Sequence, residues 1–237
     1  MAYEMNGCIR YSETDSNGIL TIDGLINYFQ DCSFSQSEHV GYGLDYLRKQ
    51  HTAWILSAWQ IQIQRLPRLN EEVVVKTWPY DFKNFFGYRN FIMTTRDGQV
   101  LANANSLWIY LDTETGHPTK VPEDELAAYG LETAYPMPAL ARKLKLPKEL
   151  TEQGQMLVPP YFIDTNHHMN NGKYVLVAME YLPKDWEIET IKVEYRKAAM
   201  LNDMLFSRVK EAEQSIIVSI EDEEQQPYAI VEFTKKQ

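Results

Sequence analysis

Apolar residues recur at helical spacing in two stretches of the chain. Ile22, Leu25, Ile26 and Phe29 fall on one face, which Ser33, Gln36 and Ser37 continue with smaller or polar side chains as far as Val40. Val175, Ala178 and Leu182 do the same over a shorter span. Small residues on such a face admit a close neighbouring layer, so the first helix is expected to lie against a sheet. After each helix the period shortens to two. Residues 54–64 alternate and 73–78 are rich in valine. Residues 88–95 and 100–111 flank Arg96-Asp97-Gly98-Gln99, where glycine accepts the positive φ of a tight turn. The same order returns in 190–196, 203–209, 215–220 and 228–233, with a polar turn at 221–226. Each half therefore reads as one helix followed by four antiparallel strands, an α+β arrangement built twice.

An echo in the sequence supports the duplication. Asp15-Ser16-Asn17 returns as Asp164-Thr165-Asn166, each ahead of one of the helices. Between the halves, Gly116, Pro118, Pro122, Pro136, Pro138 and Pro147 break the pattern, and only 123–129 and 139–144 keep short helical spacing. The expected organisation is a first domain over 1–112, a structured connector over 113–158 and a second domain over 159–237.

Composition narrows the function classes. Of 237 residues, 44% are hydrophobic and 24% charged, the balance of a folded globular chain. Lys and Arg number 23 against 33 Asp and Glu, a net charge of −10, which argues against general affinity for nucleic acid or an anionic membrane surface. Cys8 and Cys32 cannot make a disulfide framework and form no Cys-x-x-Cys pair. The first residues lack the basic and apolar regions of a signal peptide, and Glu180 interrupts the apolar run 174–182. The expectation is a soluble, cytoplasmic protein.

The two copies of the echo differ at one chemically decisive position. Asp164-Thr165-Asn166-His167-His168-Met169 aligns with Asp15-Ser16-Asn17-Gly18-Ile19-Leu20, so His168 stands opposite Ile19. Only the second half combines carboxylate, amide and imidazole. Asp164, Asn166 and His168 lie at i, i+2 and i+4, and in an extended segment all three side chains point to one side. Asn170 or Asn171 is a natural N-cap, which places the trio ahead of a helix N-terminus, where unpaired N–H groups favour developing negative charge.

Such a set suits hydrolysis of an activated acyl group. Asp164 can position water or orient the ring, His168 can act as general base or hydrogen-bond the carbonyl, and Asn166 can hold water or substrate. A thiol leaving group, with a pKa of about 8.5, departs without much help from an acid. The bland alternative is an Asp-x-Asn turn that only caps the backbone before a helix. No G-x-S-x-G elbow and no phosphate-binding glycine loop is present. His167-His168 lacks metal-ligand spacing, and neither metal nor cofactor is expected. Cys32, on the helix face, is expected in the core.

Asp164-x-Asn166-x-His168-x-Asn170-Asn171, followed by Tyr174 and a helix reaching Glu180, resembles the active-site segment of the acyl-acyl-carrier-protein thioesterases of bacteria and plant plastids. Asp15-Ser16-Asn17-Gly18 and its long helix resemble the degenerate first half of that family, and Ile191-Lys192-Val193-Glu194-Tyr195-Arg196-Lys197 resembles one of its strands. The likeness covers nearly the whole chain. It implies a tandem double hotdog, each half a long helix wrapped by an antiparallel β-sheet. It places an acyl-chain pocket in the first half and the catalytic set Asp164, Asn166 and His168 in the second. The implied reaction is hydrolysis of a fatty acyl thioester of acyl carrier protein to free fatty acid, in fatty acid biosynthesis.

The resemblance also implies a carboxylate just after Glu194-Tyr195-Arg196, where this chain has Ala198-Ala199. That leaves Asp164, His168 or Glu194 to activate water. An acidic carrier meeting an acidic enzyme needs a local basic surface, for which Arg142, Lys143, Lys145, Lys148, Arg196 and Lys197 are candidates. The helix over 22–40 and the strand over 54–63 are candidate walls for the acyl tunnel. Acyl-CoA hydrolysis and a non-catalytic acyl- or carrier-binding module are the alternative readings. Two fused units already supply the pair that single hotdogs obtain by dimerising, and a homodimer of the whole chain stays open.

Overall fold

The computed structural model describes residues 2–236, which pack as two compact units. The first runs up to Ser57 and resumes over Ile63–Leu140; the second takes Ala58–Gln62 and the chain from Ala141 onward. In the first, strand β1 (Tyr3–Cys8) leads to helices α1 (Ile22–His39) and α2 (Leu44–Lys49). Strands β2 (Thr52–Ile63), β3 (Glu72–Lys83), β4 (Phe86–Thr95) and β5 (Val100–Asp112) follow, then helix α3 (Glu123–Tyr129). In the second, β6 (Thr151–Leu157) precedes α4 (Asn171–Met179), β7 (Ile188–Tyr195), β8 (Met204–Glu211), β9 (Ser215–Glu221) and β10 (Pro227–Lys235).

The strand order β1-β3-β4-β5-β2 of the first unit is matched place for place by β6-β8-β9-β10-β7 in the second. The duplication read from a three-residue echo is thus a duplication of topology. Ala58–Gln62 of β2 counts with the second unit because it runs antiparallel to β7, Ala58 opposite Glu194 and Gln62 opposite Thr190. Each unit has one more strand than expected, at the end of its order. β1 (YEMNGC) and β6 (TEQGQML) carry mostly polar or small residues and bury little, so they lack the apolar alternation that marks a strand in sequence.

Helix α1 begins where Thr21 Oγ1 accepts the Gly24 N–H at 3.0 Å. Its buried face, Leu25, Ile26, Phe29, Cys32, Ser33 and Gln36, packs on β1 and β3. Full burial of a Leu, Ile or Phe contributes about 1.5–3 kcal/mol, so this face rather than helix propensity holds α1 in place. Helix α4 is capped by Asn170, whose Oδ1 accepts the Gly172 N–H at 2.9 Å. It is 9 residues long against 18 in α1, and Leu182, expected on it, lies in the turn beyond its end, just before Pro183.

The stretch 113–158 divides between the units. Glu125 of α3 is buried and accepts bonds from Trp54 Nε1 (2.8 Å) and Tyr110 Oη (3.0 Å), with burial raising the carboxyl's pKa. Beyond α3 the chain crosses the sheet face turned away from α1: Trp78 Nε1 donates to Thr133 O (3.0 Å) and Tyr135 N to Asn90 Oδ1 (2.9 Å). In the second unit, Leu144 N donates to Glu194 Oε2 at 2.7 Å and Arg208 Nη2 to Leu150 O at 3.4 Å. The expected helix at 139–144 does not form. Pro136 and Pro138 interrupt the approach, and the Leu144 N–H goes to a sheet carboxylate in place of a helical carbonyl. No helix among the described residues is long and apolar enough to cross a membrane.

Candidate active site

The segment carrying Asp164, Asn166 and His168 is a tight turn, which corrects the expected extended run. Asp164 N donates to His168 O (2.8 Å), His167 N to Asp164 O (3.1 Å), and Ile163 pairs with Met169 across the base. Inside the turn, Asp164 Oδ1 accepts the Asn166 N–H (2.8 Å) and the His168 N–H (3.4 Å). One carboxylate oxygen is therefore committed to backbone. The turn still gathers the three residues over five positions, with Asp164 and His168 half-buried and Asn166 exposed. Among the described residues, the His168 ring and the Asn166 side-chain amide have no hydrogen-bond partner, so both are available to a ligand. His167 takes φ +62°, a left-handed conformation uncommon for a residue with a Cβ.

The turn is pinned by residues that no sequence motif singled out for that task. Met169 N donates to Ala199 O (2.9 Å), and Ala199 N donates to Tyr174 Oη (2.8 Å). Tyr195 Oη donates to Asn171 O (2.9 Å) at the first turn of α4, its ring edge-on to Tyr174 at 5.7 Å. Burial pushes the Tyr174 hydroxyl up to about 12 and raises Tyr195 as well, so both phenols stay neutral at ordinary pH. Ala199, where the resemblance implied an acid–base group or its neighbour, has a fully buried side chain and spends both backbone groups bracing the turn.

Glu194 alternates with Tyr195 on β7 and so faces away from α4. Its carboxylate is occupied by Leu144 N (2.7 Å) and by Arg196 Nε (2.9 Å) and Nη2 (3.3 Å). It is a structural acid. Lys197 is paired to Asp222 and lies 4.3 Å from the Tyr228 ring centre. Arg196 and Lys197 are thus already engaged, whereas Lys143, Lys145 and Lys148 are exposed. Beside the turn, Leu157, Tyr161, Met200 and Leu201 form an exposed apolar rim, their segments joined by Val158 N–Asp203 O (2.9 Å) and Asn202 N–Val158 O (3.1 Å). Cys32 is buried and its thiol is pushed up to about 12 by burial, the behaviour of a core residue; Cys8 is exposed and also free. No group of three or more His, Cys, Asp or Glu among the described residues is placed to hold a metal ion.

The corresponding turn of the first unit has the same bonds. Asp15 N donates to Ile19 O (2.8 Å), Gly18 N to Asp15 O (3.1 Å), and Thr14 pairs with Leu20. Asp15 Oδ1 accepts the Asn17 N–H (2.8 Å) and the Ile19 N–H (3.0 Å). These backbone donors, Ile19 foremost, hold the Asp15 carboxyl below its usual range. Gly18, at φ +70°, sits where His167 sits in the second turn.

Comparison with known proteins places this geometry. Residues 1–129 match the sequence model of the acyl-ACP thioesterase N-terminal domain, and residues 147–234 match that of the C-terminal domain. The oleoyl-acyl carrier protein thioesterase 1 of Arabidopsis thaliana chloroplasts is 25% identical over 229 residues, 87% of this chain and 63% of that protein. The chain therefore spans somewhat under two thirds of this relative. An acyl-ACP thioesterase structure from Bacteroides thetaiotaomicron superposes with a TM-score of 0.90 at 20% identity, covering 99% of this chain and 98% of the other. The 12:0-ACP thioesterase of Umbellularia californica gives a TM-score of 0.84 at 21% identity, with 99% and 97% covered. The double hotdog expected from sequence is the fold observed.

Proposed function

Because this chain belongs to the acyl-ACP thioesterase family, we propose that it hydrolyses the thioester of fatty acyl chains carried on acyl carrier protein, releasing free fatty acid and the carrier thiol. The observation that carries this reading is the unpartnered His168 imidazole, held on a bonded turn at the entry to α4, where the first unit has Ile19. His168 takes a proton from water as the water oxygen attacks the thioester carbon. The Asn166 amide and the positive end of the α4 dipole stabilise the negative charge that develops on the carbonyl oxygen. Collapse of the adduct breaks the carbon–sulfur bond, and the thiolate needs little protonation to leave. Asp164 shapes the turn through Oδ1, and its Oδ2 accepts no hydrogen bond among the described residues. The first unit, with α1 and the Thr52–Ser57 part of β2, supplies the acyl pocket, and the exposed Lys143, Lys145 and Lys148, with Arg142, meet the acidic carrier.

His168→Ala tests the assignment on purified acyl-carrier substrates. The expected result is a fall in kcat of about 10²–10⁴ with unchanged melting behaviour. Full activity in the variant would remove His168 from the mechanism. Stoichiometric acyl-carrier binding by the wild type without turnover would replace hydrolysis by a binding role.

A further inference from the structure

The polar continuation of the α1 face covers a buried cation. Arg89, on β4, is only 8% exposed. Its Nη1 donates to Gln36 Oε1 on α1 and to Thr77 Oγ1 on β3 (3.1 Å), and its guanidinium lies 5.5 Å from the centre of the Tyr129 ring. The Thr77 proton is itself committed to Asn90 O (3.0 Å), so the threonine acts toward Arg89 as an acceptor. Every one of these partners is neutral. No carboxylate among the described residues pairs with Arg89, and its Nε and Nη2 donate to nothing, yet neither nitrogen is sealed from accessible space. The surface arginines contrast with it: Arg10, Arg65, Arg96 and Arg196 each hold a glutamate. Burial pushes the Arg89 pKa below its ordinary value, against smaller opposing contributions from Tyr129 and Cys32, and no carboxylate is among them. A guanidinium taken out of water without a counter-charge destabilises the fold unless something supplies that charge.

We propose that Arg89 anchors a carboxylate-binding subsite in the first unit, its Nε and Nη2 forming a two-pronged fork for one carboxylate while Gln36 and Thr77 hold the group from the other side. The Nε–Nη2 edge matches the planar spacing of two carboxylate oxygens. The setting, with the Tyr129 ring over the guanidinium and Phe91 next on the same face of β4, suits an acid with an apolar body. The proposal does not depend on the hydrolytic assignment.

The test is a thermal-shift and calorimetric titration of the full chain with decanoate, acetate and decanol at constant ionic strength, using wild type, Arg89→Met and Arg89→Lys. Decanoate or acetate is expected to bind and raise the wild-type melting temperature, whereas decanol does not. Decanoate alone assigns an amphipathic acid, and both together assign any small carboxylate. Both variants lose the binding by about ten-fold or more, the lysine because it keeps the charge but lacks the fork. Arg89→Met melts no lower than wild type, because it removes an uncompensated charge. A wild type that ignores both acids, an equal response to decanol, or equal binding by Arg89→Lys would overturn the subsite. A lower melting temperature in Arg89→Met with no carboxylate binding in the wild type would make Arg89 purely structural.

Discussion

The turns at Asp15–Ile19 and Asp164–His168 are built by the same bonds and differ in what they present. In both, the aspartate oxygen accepts two backbone N–H groups, the chain closes through a carbonyl at the fifth position, and the fourth residue has positive φ. In one, the fourth and fifth residues are Gly18 and Ile19; in the other, His167 and His168. A turn that survives intact without an imidazole shows that the Asp-x-Asn motif is first a folding device. Chemistry was added to it, or lost from it, at the two positions that the bonds leave free.

The sharpest way to break this comparison is at Asp164. If Asp164 acts as Asp15 does, Asp164→Asn keeps an Oδ1 acceptor for both N–H groups and retains activity within about five-fold, with an unchanged pH profile. Asp164→Ala loses the acceptor and lets the ring drift, and misplacement by about 1 Å costs on the order of 10²-fold. The measurement is kcat and KM across pH for both variants. An asparagine variant as inactive as the alanine one would show that Asp164 does proton chemistry its twin never does.

The comparison also explains what could be read from sequence and what could not. The strands after each helix, the α3 segment and the alignment of His168 with Ile19 follow local patterns, and the structure reproduces them. The period-two argument failed at the site itself, because the Asp164 side chain competes for its own backbone and folds the segment into a turn. Ala199 and Tyr195 brace that turn through a backbone carbonyl and amide and a long-range hydroxyl bond, none of which has a sequence signature. Glu194 looked like a base in sequence because its burial under Leu144 depends on a connector whose path no periodicity predicts. Arg89 was silent for the same reason.

A smaller effect is expected at the fourth position. Gly18 accepts φ +70° freely, whereas His167 is held at +62° at a cost of about 1 kcal/mol. His167→Gly should therefore stabilise the protein by about that amount, and Gly18→Ala should destabilise it by a similar amount. Equilibrium unfolding of the two variants checks both signs at once. If His167→Gly gains stability but weakens KM for the carrier substrate, the strained histidine contacts substrate; unchanged kinetics would make it a passive departure from glycine.

The smallest effect is electrostatic and belongs to the first turn. The backbone donors lower the folded pKa of Asp15, so its contribution is present above the unfolded value of about 3.9 and is lost as pH falls through the folded value. Asp15→Asn keeps the acceptor but has no charge to lose. The melting temperatures of wild type and Asp15→Asn should therefore differ by a constant above about pH 5 and converge as the acid limb is entered. The carboxylate is largely in contact with solvent, which screens the gain and keeps the convergence small. Parallel curves down to low pH would mean that the two N–H groups see only an acceptor of the right shape. The aspartate of both turns would then be a geometric choice, and its charge in the second turn would be free for other work.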